Sequence, residues 1–440
     1  MQTSSRRVAR LRHALSAAVG GLMVVCVAAA PAHAVTVRER QWHLDAMHAE
    51  EMWETTTGRG ITVAVIDSGV DKTVADLRGQ VLDGMDYSGQ GGDEKTDQAG
   101  HGTGMAALIA ATGARGRVNG SYGLAPGVKV LPVKMPYATD GFRTKSSRAS
   151  YSAAMVKAIR FAADSNARVI NVSMGSPNTS GMKNVGTPEL DAAVKYALGK
   201  GKLIFAAAGN DGDITNAAEY PAATPGVVGV AAVDDKAKPL KDSQWGPQVD
   251  LAAPGKDLIR ACAGGTQLCG GSGTSGASAL ASASAALIWS QHPDWTNNQV
   301  LRVLMRTAGG NDKGLGRDDV VGYGVVRPRI ALKNPGDPGP AGTYPIPGFS
   351  YDDARSPSPE PSQQKTAGDR ATIAPSASSD DGNATGLWIA GGSGAAVVLG
   401  AAVAAPVVRS RSRSRSRSRR DAASAPGFPA PPQRGDHPHF

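Results

Sequence analysis

The sequence predicts an α/β fold with a mostly parallel central sheet flanked by helices, and three observations carry that expectation. Apolar, β-branched runs such as Gly60-Ile61-Thr62-Val63-Ala64-Val65-Ile66 show no polar alternation, which fits strands buried on both faces. Stretches with helical spacing, at residues 105–110, 151–163 and 190–198, lie between such runs. The two kinds alternate along the chain, which requires crossover connections and therefore a parallel sheet.

Taken in order, each strand leads into a polar or small residue of interest. The run at 60–66 ends on Asp67-Ser68-Gly69, and open α/β sheets place their sites at the carboxyl ends of strands. An Asp capping a turn is the simpler alternative. His101 stands between Gly100 and Gly102 at the start of an apolar helix; a lone His is more often a surface or satisfied core residue. Val169-Ile170-Asn171-Val172 runs into Ser173-Met174-Gly175, and Leu203-Ile204-Phe205-Ala206-Ala207-Ala208-Gly209 ends on the amide Asn210. Residues 227–233 supply a further strand. Last comes Gly271-Ser272-Gly273-Thr274-Ser275-Gly276-Ala277-Ser278, ahead of an apolar helical run that reaches Trp289. Ser275 would sit at that helix's N-terminus, where unpaired N–H groups and the dipole favour a developing anion. A glycine–serine turn capping a core helix is the competing reading.

The chain ends speak to location. Residues 1–34 combine Arg6, Arg7, Arg10 and Arg12 with an apolar stretch and Ala32-His33-Ala34, the pattern of a secretory signal cut after Ala34. The apolar stretch is short for a membrane anchor. Residues 387–408 form a second uncharged run, long enough at ~1.5 Å per residue to cross a ~30 Å hydrocarbon core. The Arg-Ser repeat that follows puts residues 409–440 in the cytoplasm. Basic repeats of this kind also occur in nucleic-acid-binding tails. Here the four arginines of the signal and the seven of the repeat exceed the whole net charge of +9, so the remainder is slightly acidic and no nucleic-acid partner is expected. Residues 334–384 hold nine prolines and few large apolar side chains, and read as a linker. That leaves an N-terminal extension at 35–59, expected to stay attached and pack on the domain, and a folded unit at 60–333.

Asp67, His101 and Ser275 occur in the chain order of the subtilisin triad. The strings Val65-Ile66-Asp67-Ser68-Gly69-Val70, Gly100-His101-Gly102-Thr103, Ala207-Ala208-Gly209-Asn210 and Gly273-Thr274-Ser275 also match. Over residues 60–332 the sequence resembles the subtilisin-like serine proteases. The resemblance implies a three-layer subtilisin-like fold and a serine endopeptidase acting on peptide or protein substrates. Ser275 would be nucleophile, His101 general base and acid, Asp67 the orienting carboxylate and Asn210 an oxyanion donor. Ser173, Met174 and Gly175 with Ala206, Ala207 and Ala208 would line the pocket for the residue before the cut, with nothing charged in those segments to select a basic residue. The chain departs from the family at Gly276, where a larger side chain is usual, and at Ala279, near the place where many members have proline. Packing and helix start are what those departures put in question.

The order of signal, extension, protease domain, linker, membrane helix and basic tail further resembles the mycosins, anchored subtilases of type VII secretion systems. This implies a cell-membrane location with the catalytic domain outside and a partnership with the secretion membrane complex. A general cell-surface subtilase and a mainly structural subunit are the alternatives. No cofactor is implied, and two thiols without a nearby His do not make a metal site. Cys262 and Cys269, outside the membrane, are expected to form a disulfide that pins the loop ahead of Ser275.

Overall fold

The computed structural model describes residues 35–137, 144–182, 184–264, 266–309 and 316–351. Its sheet contains β1 (Thr62–Asp67), β2 (Met85–Asp86), β3 (Lys129–Lys134) and β4 (Val169–Val172). The short strands β5 (Ser176–Pro177) and β7 (Glu219–Tyr220) pair with each other, antiparallel and apart from it. The sheet continues with β6 (Leu203–Ala207), β8 (Val228–Val233) and β9 (Leu251–Pro254). A second antiparallel pair, β10 (Arg260–Ala261) and β11 (Leu268–Cys269), lies before the Ser275 loop.

The seven sheet strands run in the order β2-β3-β1-β4-β6-β8-β9, all parallel. β4, β6, β8 and β9 are buried along their whole length, as their unbroken apolar runs require. The chain leaves β1 toward β3 on one side and returns to β4 on the other. Asp67 therefore ends the strand at which the order reverses, and there the carboxyl ends of neighbouring strands leave a crevice.

Right-handed crossovers convert that reversal into layers. The connection from β1 to β3 carries α3 (His101–Ala110), after α1 (Trp42–Ala46) and α2 (Ala49–Thr55) of the N-terminal segment. The connections from β3 to β4 and from β4 to β6 run the other way and carry α4 (Lys145–Asp164) and α5 (Pro188–Gly199), which pack on each other on the opposite face. After β9, α6 (Thr274–Gln291) returns to the face of α3 and packs against β4, β6, β8 and β9, with α7 (Asn297–Arg306) and α8 (Pro328–Lys333) beside it. Every residue of α6 from Gly276 to Trp289 is buried, which its run of Ala, Ser, Leu and Ile permits without an unpaired charge.

The extension is tied in by polar side chains. Gln41 is fully buried, donating to the carbonyls of Tyr122 at 2.8 Å and Ile259 at 3.1 Å and accepting from the Tyr122 N–H at 3.0 Å. Trp53 Nε1 donates to the Leu124 carbonyl at 2.9 Å.

Residues 334–351, expected to open the linker, instead form a strap across the domain. Tyr344 is buried, donates to the Gly226 carbonyl at 2.8 Å, and stacks edge-on with Phe349. Arg302 and Asn298 of α7 bind the carbonyls of Pro338, Thr343 and Ala341. The prolines were the visible signal; the three aromatics Tyr344, Phe349 and Tyr351 supply the apolar surface that offsets the ordering entropy. The expected signal, the rest of the linker, the membrane helix at 387–408 and the tail at 409–440 lie outside the described residues. No helix among the described residues is long and apolar enough to cross a membrane.

Candidate active site

α3 delivers His101 and α6 delivers Ser275 to one cleft, and β1 sets the buried Asp67 against His101. His101 Nδ1 lies 2.7 Å from Asp67 Oδ1, which also accepts the Ser68 N–H at 2.7 Å. Asp67 is wholly buried, while the His101 side chain is 22% exposed toward the cleft. Burial alone would lower the His101 pKa, but the Asp67 charge and hydrogen bond outweigh it, and the net shift is upward from 6.5. Tyr137 stacks on the imidazole, with ring centroids 5.7 Å apart.

The first turn of α3 must approach β1 closely to make that pair. A side chain at Gly102 would collide with the Gly69 carbonyl and with Asp67, so only glycine fits there. Asp97 holds the turn in place. Its Oδ1 accepts the Gly100 N–H and the Ser68 hydroxyl at 2.8 Å each, and its Oδ2 accepts the Thr103 N–H at 2.8 Å and the Thr103 hydroxyl at 2.6 Å. These bonds satisfy helix-terminal donors that would otherwise be orphaned in a buried place.

At the other wall, α6 begins at Thr274, preceded by Gly273 with φ 133°. A Cβ at Gly273 would meet Asn210 Oδ1. That oxygen accepts the Thr274 N–H at 2.9 Å and the Thr274 hydroxyl at 3.1 Å, which leaves the Asn210 amide nitrogen as the donor end. A polar lattice beneath fixes the helix start: Asn171 Nδ2 donates to Ser173 Oγ at 2.8 Å, and Ser173 Oγ donates to the Ser275 carbonyl at 3.0 Å. Ser282 Oγ reaches Asn171 Oδ1 at 3.1 Å. The space left by the small Gly276 is filled by Leu258, whose Cδ1 lies 2.5 Å from where a Cβ would stand. The departure at Gly276 is thus compensated in the packing.

The cleft has a volume of about 520 Å³ and is lined by His101, Asn210 and Ser275 together with Ser173, Met174, Gly175 and Ala207. Ala206 and Ala208, expected in the same wall, are fully buried instead and do not reach it. Side chains alternate across a strand, so Ala207 faces the cleft and its two neighbours face away. The sequence reading also missed Tyr137, Arg148, Tyr151, Asp211 and Glu219 in the lining. Asp97 carried a local signal, an acceptor ahead of Gly100 and an apolar helix. Glu219 carried none, because it reaches the cleft only through the pairing of β7 with β5.

The disulfide expected between Cys262 and Cys269 is not formed. Both are free thiols. In the β10–β11 hairpin Cys269 stands opposite Arg260 and Leu268 opposite Ala261, and Cys262 N–H bonds the Gln267 carbonyl. The two cysteines are therefore diagonal neighbours, and direct cross-strand partners are the closer ones. Burial first, and then the neighbouring Cys269 thiol, push the Cys262 thiol up to about 12.

A model of the subtilase family matches residues 58–324. The chain belongs to the subtilase family. It is 35% identical over 280 residues to the thermophilic serine proteinase of Bacillus sp. (strain AK1), covering 63% of this chain and 63% of that protein. Thermitase of Thermoactinomyces vulgaris is 32% identical over 216 residues, covering 49% of this chain and 70% of thermitase. Among solved structures, MycP3 protease from the type VII (ESX-3) secretion system has a TM-score of 0.57 at 31% identity, over 69% of this chain and 90% of that one. MycP1 from Mycobacterium smegmatis has a TM-score of 0.58 at 28% identity, over 68% and 86%. A chain of the intact ESX-5 inner membrane complex has a TM-score of 0.59 at 28% identity, over 77% and 84%. The subtilase fold of the chain is thus of the mycosin kind.

Proposed function

We propose that this subtilase is a membrane-anchored extracytoplasmic serine endopeptidase of the mycosin type, acting through Ser275, His101 and Asp67. The observation that carries the reading is the 2.7 Å Asp67–His101 pair opening on the same cleft as Ser275. Ser275 Oγ attacks the scissile carbonyl carbon while His101 Nε2 takes the hydroxyl proton. Asp67 holds the Nδ1–H tautomer and stabilises the imidazolium. The oxyanion is met by the Asn210 amide and the Ser275 N–H at the start of α6. His101 then gives its proton to the departing amine, and water repeats the sequence in reverse to release the acid.

The mycosin part rests on the likeness to MycP1, MycP3 and the ESX-5 chain, and on the order of sequence segments. In the producing cell, Ser275→Ala at the native locus should abolish processing of exported proteins while the membrane complex is still recovered intact. Retention of processing by Ser275→Ala would overturn the catalytic reading. An unchanged set of exported proteins on deletion of the whole chain would favour a general surface protease.

A further inference from the structure

An acid side chain enters the cleft where the flanking sequence segments offered none. Glu219 lies in β7, directly opposite Pro177 of β5, two residues beyond Gly175. Its Oε2 occupies the space where a side chain on Gly175 would stand, so the absence of a Cβ there is what admits the carboxylate. Glu219 lines the cleft with Ser275, His101, Met174 and Gly175. Among the described residues it forms no ion pair, and its side chain receives only a long 3.4 Å hydrogen bond from Gln244 Nε2. Arg148, the cation in the same lining, directs its guanidinium to Ser176 Oγ at 2.9 Å and to the Pro177 carbonyl instead. Asp211 adds a second, exposed acid at the edge.

A carboxylate held in a partly desolvated pocket without a cation favours a ligand that brings one. The cleft is of the size that takes a long side chain, within the ~300–1,000 Å³ of ordinary ligand sites. We infer that Glu219 is a specificity-determining residue which selects lysine or arginine at the position immediately before the scissile bond. This rests on the protease reading above and reverses the expectation of an uncharged pocket. Burial, and then the neighbouring Asp211, raise the Glu219 carboxyl to about 7, so the preference strengthens as pH rises from 6 to 8. The other ionisable groups facing the cleft are His101, Tyr137, Tyr151 and Arg148. Of these, His101 sets the rate for every substrate alike, so the ratio between substrates isolates Glu219.

The test uses the full chain in detergent, with active sites counted by a fluorophosphonate probe. Two peptides identical except for arginine or leucine before the cut are compared by kcat/KM, in wild type, Glu219→Gln and Glu219→Lys. Inhibition of probe labelling by the corresponding peptide argininal and leucinal gives a second readout that needs no turnover. Wild type is expected to favour arginine by about tenfold or more, the scale of one desolvated charge pair. Glu219→Gln should remove most of that ratio, and Glu219→Lys should invert it toward an acidic residue. Equal treatment of the two peptides and two aldehydes by labelled wild type would overturn the inference and leave the protease reading standing. So would an arginine preference undiminished in Glu219→Gln. Failure of wild type to label at all would overturn the protease reading and this inference with it.

Discussion

The hydroxyl of Ser275 donates to the carbonyl oxygen of Ser173 at 3.0 Å, and the hydroxyl of Ser173 donates back to the carbonyl of Ser275 at 3.0 Å. The two serines brace the end of β4 against the start of α6. The proposed nucleophile therefore hydrogen-bonds the β4 end and not His101, so the proposed mechanism calls for its hydroxyl to turn from that carbonyl toward the imidazole. Catalytic hydrogen bonds commonly tighten only once substrate is bound.

In the proposed mechanism His101 works as a base only when neutral. Its pKa is raised in the folded enzyme, because the Asp67 charge and hydrogen bond outweigh the burial that opposes them. The acid limb of kcat/KM should consequently lie above pH 6.5. Asp67→Asn removes the raising influence, should move that limb downward, and should cost about 10⁴-fold in kcat. A pH series of single-turnover acylation in both proteins checks the sign.

Asn210 is oriented by Thr274 through two bonds to one oxygen. Asn210→Leu should lower kcat by about 10²–10³-fold with KM little changed, since the donor acts on the oxyanion and not on the ground state. Thr274→Val keeps the N–H contact and loses the hydroxyl. Its loss should be the smaller, and steady-state kinetics on one peptide separates the two.

Leu258 occupies the room that Gly276 leaves. Gly276→Leu should overpack the start of α6 and destabilise the domain by about 1–3 kcal/mol. Leu258→Ala in the same chain should return most of that, which makes the pair strongly non-additive in a denaturant double-mutant cycle.

How much of this was legible in the sequence varies with the kind of contact. Asp67 ends β1, His101 begins α3, Ser275 lies in the first turn of α6 and Asn210 follows β6 closely, and strand ends in a parallel sheet converge, so local strings pointed to residues that the fold brings near one another. Ala206 and Ala208 were misplaced because a run of three alanines does not reveal which one faces the cleft. Glu219 was invisible because it arrives by antiparallel pairing outside the main sheet. The strap at 334–351 was obscured by proline content, although Tyr344 and Phe349 were there to be weighed. The thiols of Cys262 and Cys269 are close in sequence, but hairpin register made them diagonal.

Asp250 is buried, with its carboxylate accepting the Gly229 N–H at 3.0 Å. Burial raises its pKa to about 7, against the smaller opposing pull of that hydrogen bond and of Arg317. A folded pKa above the unfolded one means that the group's stabilising contribution is full below about pH 4 and is lost as pH rises toward 7. Asp250→Asn should match wild type near pH 4 and be more stable at pH 8, by up to about 4 kcal/mol. Thermal melts of both proteins at the two pH values test this.

If Ser275 is the nucleophile activated by His101 and Asp67, a serine-directed probe attaches to it and depends on both partners. Fluorophosphonate labelling of the full chain, followed by peptide mass spectrometry, tests this most directly. One probe per chain is expected, attached to Ser275, with labelling lost in Ser275→Ala and reduced by several orders of magnitude in His101→Ala. Attachment at another residue, or equal labelling of the Ser275→Ala protein, would contradict it.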